Sequence, residues 1–137
     1  FAGIAALPAS VGLLAIVVTP RPALSANADF CLLLDGVQDP GNVGSMLRSA
    51  AAAGVTQVLL SKHCAFAWSP KVLRAGQGAH FCLDIHEDVE LPRWAQACRA
   101  SGGEIVATVA RSSLASASLA RATIEGGSAI AFPVNQA

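Results

Sequence analysis

A stretch in the first half of the chain decides the fold: it reads CLLLDGVQDPGNVGSMLRSAAAAG from Cys31 to Gly54. Residues 31–35 form a short apolar run without in–out alternation, which predicts a strand of a parallel sheet covered on both faces. Residues 39–42 then supply helix-start side chains, with a proline near the first turn. Apolar residues recur behind them at helical spacing, and predict a helix with one buried face that ends at Gly54: Val43, Met46, Leu47, Ala50 and Ala51.

The same alternation of strands and helices continues outward from this stretch. Further strands are predicted over five apolar segments: Gly12–Thr19, Val55–Leu60, Cys82–Ile85, Glu104–Val109 and Ser128–Phe132. Two further helices are predicted, one from Ser69 to Gly76 or Gly78, and one over Leu91–Ser101 with Trp94, Ala97 and Cys98 as its buried side. This order predicts an α/β fold, with a mainly parallel sheet and helices on both faces.

The composition fits one folded domain with no net charge. The chain has 137 residues, is 53% hydrophobic and 13% charged, and has a mean hydropathy of +0.53. A disordered segment would lack that apolar surface. Phe1–Pro20 carries no charge, but Pro8, Ser10 and Gly12 interrupt it, so neither a membrane span nor a secretory signal is predicted.

The cysteines and histidines do not have the spacing of a metal site. Cys31, Cys64, Cys82 and Cys98 stand far apart without a C-x-x-C pair, which disfavours zinc and redox motifs and favours reduced thiols in the cytoplasm. The histidines have no ligand spacing with carboxylates, and are expected at the surface or as partly satisfied core residues: His63, His80 and His86. No metal is therefore expected.

Several enzyme and nucleotide-binding classes are excluded or weakened by absent motifs. The chain contains no Gly-x-x-x-x-Gly-Lys-Ser/Thr loop, which excludes a P-loop nucleotide site. A G-x-S-x-G elbow is also missing, so a Ser/His/Asp hydrolase is poorly supported. A small nucleotide-binding domain is weakened because no G-x-G-x-x-G occurs.

The charges are unevenly distributed along the chain. No acidic residue lies between Asp39 and Asp84, and that segment carries Arg48, Lys62, Lys71 and Arg74. Clustered cations are what phosphate contacts require, although a solvated surface is the more common explanation for them.

The turn after the first strand of the quoted stretch is the densest candidate site. Open α/β sheets bind ligands beyond the carboxyl ends of their strands. Gly44 and Arg48 form an i, i+4 pair away from the apolar stripe, and a glycine there would leave space for a planar or phosphate group beside the guanidinium. The alternative is that Asn42 caps the helix and Arg48 is a surface residue.

Two segments together resemble one family. Asn42, Gly44 and Arg48 match the N-x-G-x-x-x-R pattern in the first motif of the SpoU (TrmH-type) RNA methyltransferases, members of the SPOUT superfamily. The segment SPKVLRAGQGAHF, from Ser69 to Phe81, is similar to the same family's S-P-K…R-A…G-A-x-F segment. The resemblance covers roughly Val11 to Phe132.

This resemblance implies a fold and an activity. The expected reaction is S-adenosylmethionine-dependent methyl transfer to a ribose 2′-hydroxyl of rRNA or tRNA, by a homodimer with a C-terminal trefoil knot. Residues 1–10 would link an upstream RNA-recognition domain to a methyltransferase domain over residues 11–137. The family's G-N-E-G-x-G motif should follow Phe132, where Pro133–Ala137 stands instead, and its S-L-N segment is absent. We therefore expect most of the knot and much of the methyl-donor pocket to be missing, through truncation or residues skipped before Pro133.

The resemblance also assigns roles to residues. In this family the arginine that matches Arg48 is proposed as the base, but a guanidinium stays protonated in proteins. We therefore expect Arg48 to lie beside a cofactor crevice, stabilise the developing alkoxide and anchor a phosphate, and Asn42 to orient Arg48 or the ribose. Two residues are predicted to contact the cofactor, Thr108 and Phe132. Three are predicted to contact RNA, or alternatively to form a solvated helix face: Ser69, Lys71 and Arg74. The alternative function is a catalytically silent RNA-binding or dimerisation module.

Overall fold

The computed structural model describes residues 15–25, 30–108 and 128–133, with residues 107–108 and 128–133 described as backbone. In these residues five strands form one sheet in the order β3-β2-β1-β5-β4. The strands are β1 Cys31–Leu34, β2 Gln57–Leu60, β3 Asp84–His86, β4 Gly103–Thr108 and β5 Ser128–Pro133. The helices are α1 Pro40–Ala52, α2 Pro70–Gly76 and α3 Leu91–Ala100, with a one-turn 3-10 helix at Ala79–Phe81.

The sheet is mainly parallel, as predicted. β1 pairs in parallel with β2, and β2 with β3. β5 runs antiparallel between β1 and β4, so that β4 points in the same direction as β1. β5 is therefore the exception to the predicted parallel order. The predicted knot falls on the C-terminal end of the chain, outside the described residues.

Helices cover both faces of the sheet, because neighbouring residues of a strand point to opposite faces. Leu34 of β1 packs in one core with Val43 and Leu47 of α1 and Val72 of α2. Leu33, its neighbour in β1, packs in the other core with the α3 side chains. The buried side of α3 is Leu91, Trp94, Ala95 and Cys98, so the prediction that Ala97 is buried is wrong: Ala97 is exposed and Ala95 is buried instead.

The predicted strand Gly12–Thr19 is not formed where the structure describes it. Residues 15–19 have no regular structure, and the side chains of Ile16, Val17 and Val18 are 77–92% exposed. Both sides of β1 are already paired, with β2 and β5, so the segment has no place beside the central strand. Its apolar composition predicted burial, but these residues have no packing partner in the described part of the chain.

The chain that follows residue 19 is hydrogen-bonded to the sheet through the main chain of Ser25. The buried amide of Gln57 in β2 accepts from the Ser25 backbone nitrogen at 3.2 Å and donates to the Ser25 oxygen at 2.9 Å. The Trp94 indole donates to the same oxygen at 3.2 Å. These bonds hold the main chain of Ser25 against β2 and α3.

None of the helices in the described ranges is both long enough and apolar enough to span a membrane. All four cysteines are reduced thiols: Cys31 and Cys98 are buried, Cys64 is half-buried and Cys82 is exposed. Burial raises the pKa of the Cys98 thiol, so this thiol behaves as a small apolar side chain.

Candidate functional site

The first motif segment begins at the carboxyl end of β1 and continues into α1. Asp39 is the N-cap of α1, and its carboxylate accepts from the Asn42 backbone nitrogen at 2.8 Å. Pro40 opens the helix as its first residue. Asn42 is thus the third residue of α1, and its side chain is exposed. The alternative that Asn42 itself caps the helix is wrong. Its amide remains accessible from solvent.

The motif glycine Gly44 brings two helices together. A β-carbon at Gly44 would lie 2.5 Å from the β-carbon of Ala75, 2.7 Å from the Val72 oxygen and 2.9 Å from the Gly76 nitrogen. Because two of these atoms belong to the backbone of α2, no side chain fits at this position. The prediction that Gly44 leaves space for a planar or phosphate group is therefore wrong, since α2 already fills that space.

Arg48 lies on α1 one turn after Gly44, and its side chain is exposed. Arg48 lies six positions after Asn42, which corresponds to a rise of roughly 9 Å and to different faces of the helix. Both roles predicted for Asn42 stay predictions. Arg48 does not line the cavity described below. Its catalytic role stays a prediction.

The second motif segment forms α2 and the turn behind it. Ser69 caps α2, and its hydroxyl accepts from the Val72 nitrogen at 3.4 Å. Lys71 and Arg74 are exposed on α2, as RNA contacts require, and Ser69 is half-buried. The helix ends in two left-handed residues, Gln77 at φ 46° and Gly78 at φ 90°. The RNA contacts of Ser69, Lys71 and Arg74 stay predictions.

His80 is a partly satisfied core residue, one of the two environments predicted for the histidines. Its Nε2 lies 2.8 Å from the Ala67 oxygen, and because a carbonyl only accepts, Nε2 carries the hydrogen. Its Nδ1 is buried without a partner. The ring lies 5.1 Å from that of Trp68, and a β-carbon at Gly76 would come within 2.9 Å of its Cε1. The motif residues Gly76 and His80 are thus explained by packing.

The basic and acidic stretches of the sequence lie on different elements of the structure. Arg48, Lys71 and Arg74 are exposed on α1 and α2, which cover one face of the sheet. We call α1, α2 and the 3-10 helix the α1–α2 layer. The acidic residues that follow lie on β3 and in the loop to α3, at the edge of the sheet: Asp84, Glu87, Asp88 and Glu90.

A cavity of about 810 Å³ lies at this acidic edge. We call it the β3-edge cavity. Residues 19–24 form one wall, the end of β3 and its loop form another, and α3 closes it. Aromatic side chains and both signs of charge line it, including Phe66, Trp68, Trp94, Arg21, Arg93, Glu87 and Glu90. The sequence did not reveal this cavity, because its lining residues come from three stretches that are far apart along the chain: residues 19–24, 66–68 and 85–97.

Burial perturbs two titratable groups of the β3-edge cavity. Burial raises the pKa of Glu87 and Asp88 raises it further, while the hydrogen bond that Glu87 accepts from the Ala67 nitrogen at 2.7 Å acts against this. Burial lowers the pKa of His86, against the attraction of Asp84, and its Nε2 is buried without a partner. In the described residues no group of three His, Cys, Asp or Glu side chains gathers to hold a metal ion.

The backbone register separates the two predicted cofactor contacts. Thr108 pairs with Ser128, level with Leu34 at the carboxyl end of β1. Phe132 pairs with Glu104 at the opposite end of the sheet, about 13 Å away along the strand at the usual rise per residue. Thr108 therefore lies at the edge of the sheet that carries the β1–α1 turn, and Phe132 lies at the opposite edge. Both cofactor contacts stay predictions.

The sequence model of the SpoU rRNA Methylase family matches residues 29–132, about three quarters of the chain. Human mitochondrial rRNA methyltransferase 3 is 51% identical over 71 residues, which cover 52% of this chain and 17% of that protein. The 23S rRNA (guanosine(2553)-2′-O)-methyltransferase RlmP of Bacillus subtilis is 41% identical over 83 residues, 61% of this chain and 33% of that protein. The chain thus spans a third or less of the length of these relatives.

Among solved structures, the SpoU methyltransferase AviRb from Streptomyces viridochromogenes, in complex with the cofactor AdoMet, is similar with a TM-score of 0.48. It is 35% identical, and the match covers 56% of this chain and 32% of that chain. The AdoMet-bound rRNA methyltransferase from Sinorhizobium meliloti gives a TM-score of 0.45 at 34% identity, over 48% of this chain and 26% of that chain.

Proposed function

The chain belongs to the SpoU rRNA methylase family, and from that premise we propose that the protein transfers a methyl group from S-adenosylmethionine to a ribose 2′-hydroxyl of rRNA. The family match carries the proposal, because it includes both motif segments that α1 and α2 contain. The names of the human and Bacillus relatives support rRNA over tRNA, and the name of the Bacillus protein supports the 2′-oxygen.

Arg48 is the residue we propose for charge stabilisation. When a ribose hydroxyl attacks a methyl group it loses its proton to solvent, and negative charge develops on the oxygen before the new carbon–oxygen bond is complete. A protonated guanidinium donates hydrogen bonds and carries a fixed positive charge, so it stabilises that oxygen and holds an adjacent phosphate. Asn42 is proposed to position the ribose, because its exposed amide donates and accepts hydrogen bonds.

The cofactor supplies the methyl group as an electrophilic sulfonium. Of the residues proposed to hold it, Thr108 fits by its place at the carboxyl edge of the sheet. A homodimer, a trefoil knot and a cytoplasmic location complete the proposal, and these rest on the family resemblance and on the reduced cysteines.

One observation favours the alternative function, a catalytically silent RNA-binding or dimerisation module. Arg48 is exposed and does not line the β3-edge cavity, so the described residues do not enclose its guanidinium. Such a module would keep the basic α1–α2 layer and bind RNA without methyl transfer. The two functions differ in one measurable product.

The test is methyl transfer by the whole protein to rRNA with radiolabelled S-adenosylmethionine. The expected product is a 2′-O-methylated nucleotide, which resists alkaline hydrolysis. Arg48→Ala should lower turnover by about 100-fold or more, as does removal of an oxyanion donor elsewhere. Ser49→Ala, the exposed neighbour on α1, is the matched control and should keep wild-type turnover.

A pH–rate profile of Arg48→Lys tests the geometry of the guanidinium. Lysine keeps the charge without the planar fork, so a strong loss of turnover is expected. Near-normal turnover would remove the need for the fork. RNA binding by the wild-type protein without a methylated product would instead establish the silent module.

A further inference from the structure

Phe81 is the most exposed of the large hydrophobic side chains in the described residues, with 94% of its surface accessible. It is nevertheless held on a fixed backbone. Its nitrogen donates to the Gly78 oxygen at 3.1 Å, and the next nitrogen, that of Cys82, donates to the Ala79 oxygen at 3.0 Å. Ala79 and His80, the other two residues of the 3-10 helix, are buried and anchor the turn. Phe81 therefore presents its ring to solvent from a rigid support.

The segment of the chain that leads to Phe81 is basic. Lys71 and Arg74 are exposed on α2, directly before the turn that carries the ring, and Leu73 between them is 41% exposed. Residues 40–83 contain no carboxylate, and the first one after the ring is Asp84 at the start of β3. The α1–α2 layer thus combines an exposed aromatic ring with cations on the same structural unit.

We propose that Phe81 stacks on an unpaired base of single-stranded RNA while Lys71 and Arg74 contact the neighbouring phosphates. This proposal rests on the proposed function, and adds to it a site that binds the RNA without taking part in methyl transfer. Aromatic rings bind bases of any identity through their π-faces, and cations beside them neutralise the backbone. A ring already fixed on a rigid turn loses little conformational entropy when a base stacks on it.

The charges favour RNA over a second copy of this chain as the occupant. In a two-fold symmetric dimer a residue meets its own copy only near the symmetry axis, so a dimer centred on this patch would bring Lys71 and Arg74 close to their own copies. Like charges that face each other across an interface are unfavourable, whereas phosphates attract both.

The first experiment measures binding of the whole protein to a short single-stranded RNA of mixed sequence at several salt concentrations. Phe81→Ala should weaken binding about tenfold without changing the slope of log K against log salt, because a stacked ring releases no counterions. Arg74→Gln should lower that slope by about 0.7. Phe81→Trp should keep wild-type affinity. Phe66→Ala is the matched control: Phe66 lines the β3-edge cavity and is 58% exposed, so its removal should leave RNA affinity unchanged.

The outcomes separate the two proposals. If Phe81→Ala binds RNA as well as the wild-type protein does, stacking is refuted even when methyl transfer proceeds. If stacking is observed but no methylated product forms, the proposed function fails and the RNA contact stands. If the wild-type protein binds no RNA, both proposals fail.

Cys82 provides an independent readout beside the ring. Its thiol is exposed, whereas Cys31 and Cys98 are buried and Cys64 is half-buried. Bound single-stranded RNA should slow the alkylation of Cys82 by N-ethylmaleimide and leave that of Cys64 unchanged. Protection of Cys82 without RNA that increases with protein concentration would mean that a second copy covers the ring, and would overturn the proposal.

Discussion

Gly44 of α1 and Gly76 of α2 meet where the two helices cross, and a β-carbon on Gly44 would lie 2.9 Å from the Gly76 nitrogen. The first glycine belongs to the N-x-G-x-x-x-R pattern and the second to the segment that begins at Ser69. The two motif segments are therefore in contact through their glycines. This contact places the arginines of both segments in one layer.

Gly44→Ala should destabilise the protein, although alanine favours a helix more than glycine does. The added carbon would come within 3 Å of two backbone atoms of α2, which cannot move like the end of a side chain. Overpacking of this kind costs about 1–3 kcal/mol in the free energy of unfolding, which urea denaturation measures. Ser45→Ala, at the exposed neighbouring position, should change it little. A Gly44→Ala protein as stable as the wild type would show that the helices do not cross this closely.

Asp39→Ala should weaken the start of α1. The carboxylate accepts from the Asn42 nitrogen at 2.8 Å, and loss of such a cap costs about 1 kcal/mol. Asp39→Asn is the control and should keep most of the stability, since the asparagine oxygen also accepts this bond. Urea denaturation distinguishes the two variants. Equal losses in both would indicate that the charge of Asp39 matters more than its cap.

Gln57→Leu should release the chain around Ser25 from the sheet. Leucine fills the volume of the buried glutamine but makes neither of its hydrogen bonds to the Ser25 main chain. We expect faster chymotrypsin cleavage after Leu24, which is 49% exposed, at nearly unchanged global stability. Thr56→Ala is the matched control on the neighbouring residue, because Thr56 bonds to Phe30 instead. Unchanged cleavage in the Gln57→Leu protein would show that the pairing does not hold this segment.

Glu87→Gln should stabilise the protein increasingly as the pH rises above 4.5. Burial raises the pKa of Glu87, so the folded state binds its proton more tightly than the unfolded state does. The stability from this proton is complete below pH 4.5 and is lost as the pH rises through the folded-state pKa. Glutamine carries no charge and its oxygen still accepts the Ala67 bond.

Thermal unfolding of both proteins between pH 4 and pH 7 measures this difference. His86 acts in the opposite sense, because burial lowers its pKa: its contribution is complete above pH 6.5 and is lost in acid. Both proteins contain His86, so the difference between them isolates Glu87. A melting-temperature difference that does not vary with pH would refute the assignment.

Local signals predicted much of the α1–α2 layer. A proline after a capping residue begins both helices, at Asp39 and Ser69, and Gly54 follows the end of α1 in a left-handed conformation. These signals act over one turn, so the sequence alone contains them. The run Ile16–Val18 was predicted to be a strand because it is apolar, but strand formation needs a neighbouring strand, which sequence periodicity does not reveal.

The candidate site was harder to predict than the fold, because its geometry depends on contacts between distant segments. The pattern drew attention to Gly44 and Arg48, but the role of Gly44 became clear only from α2. The antiparallel direction of β5, which separates Phe132 from Thr108, is likewise a long-range property. The β3-edge cavity has no motif at all. Neighbouring residues determine the conformation of a helical turn, whereas the enclosure of a site depends on the tertiary fold.

The two tryptophans of the chain occupy different environments. Trp94 donates its indole hydrogen to the Ser25 oxygen, whereas Trp68 lies against the ring of His80. Indole fluorescence depends on hydrogen bonding and on neighbouring rings, so each residue serves as a natural optical probe for its own region. In variants that keep only one tryptophan, the fluorescence of Trp94 would report detachment of the chain around Ser25. The fluorescence of Trp68 would report loosening around His80, and neither measurement needs an added label.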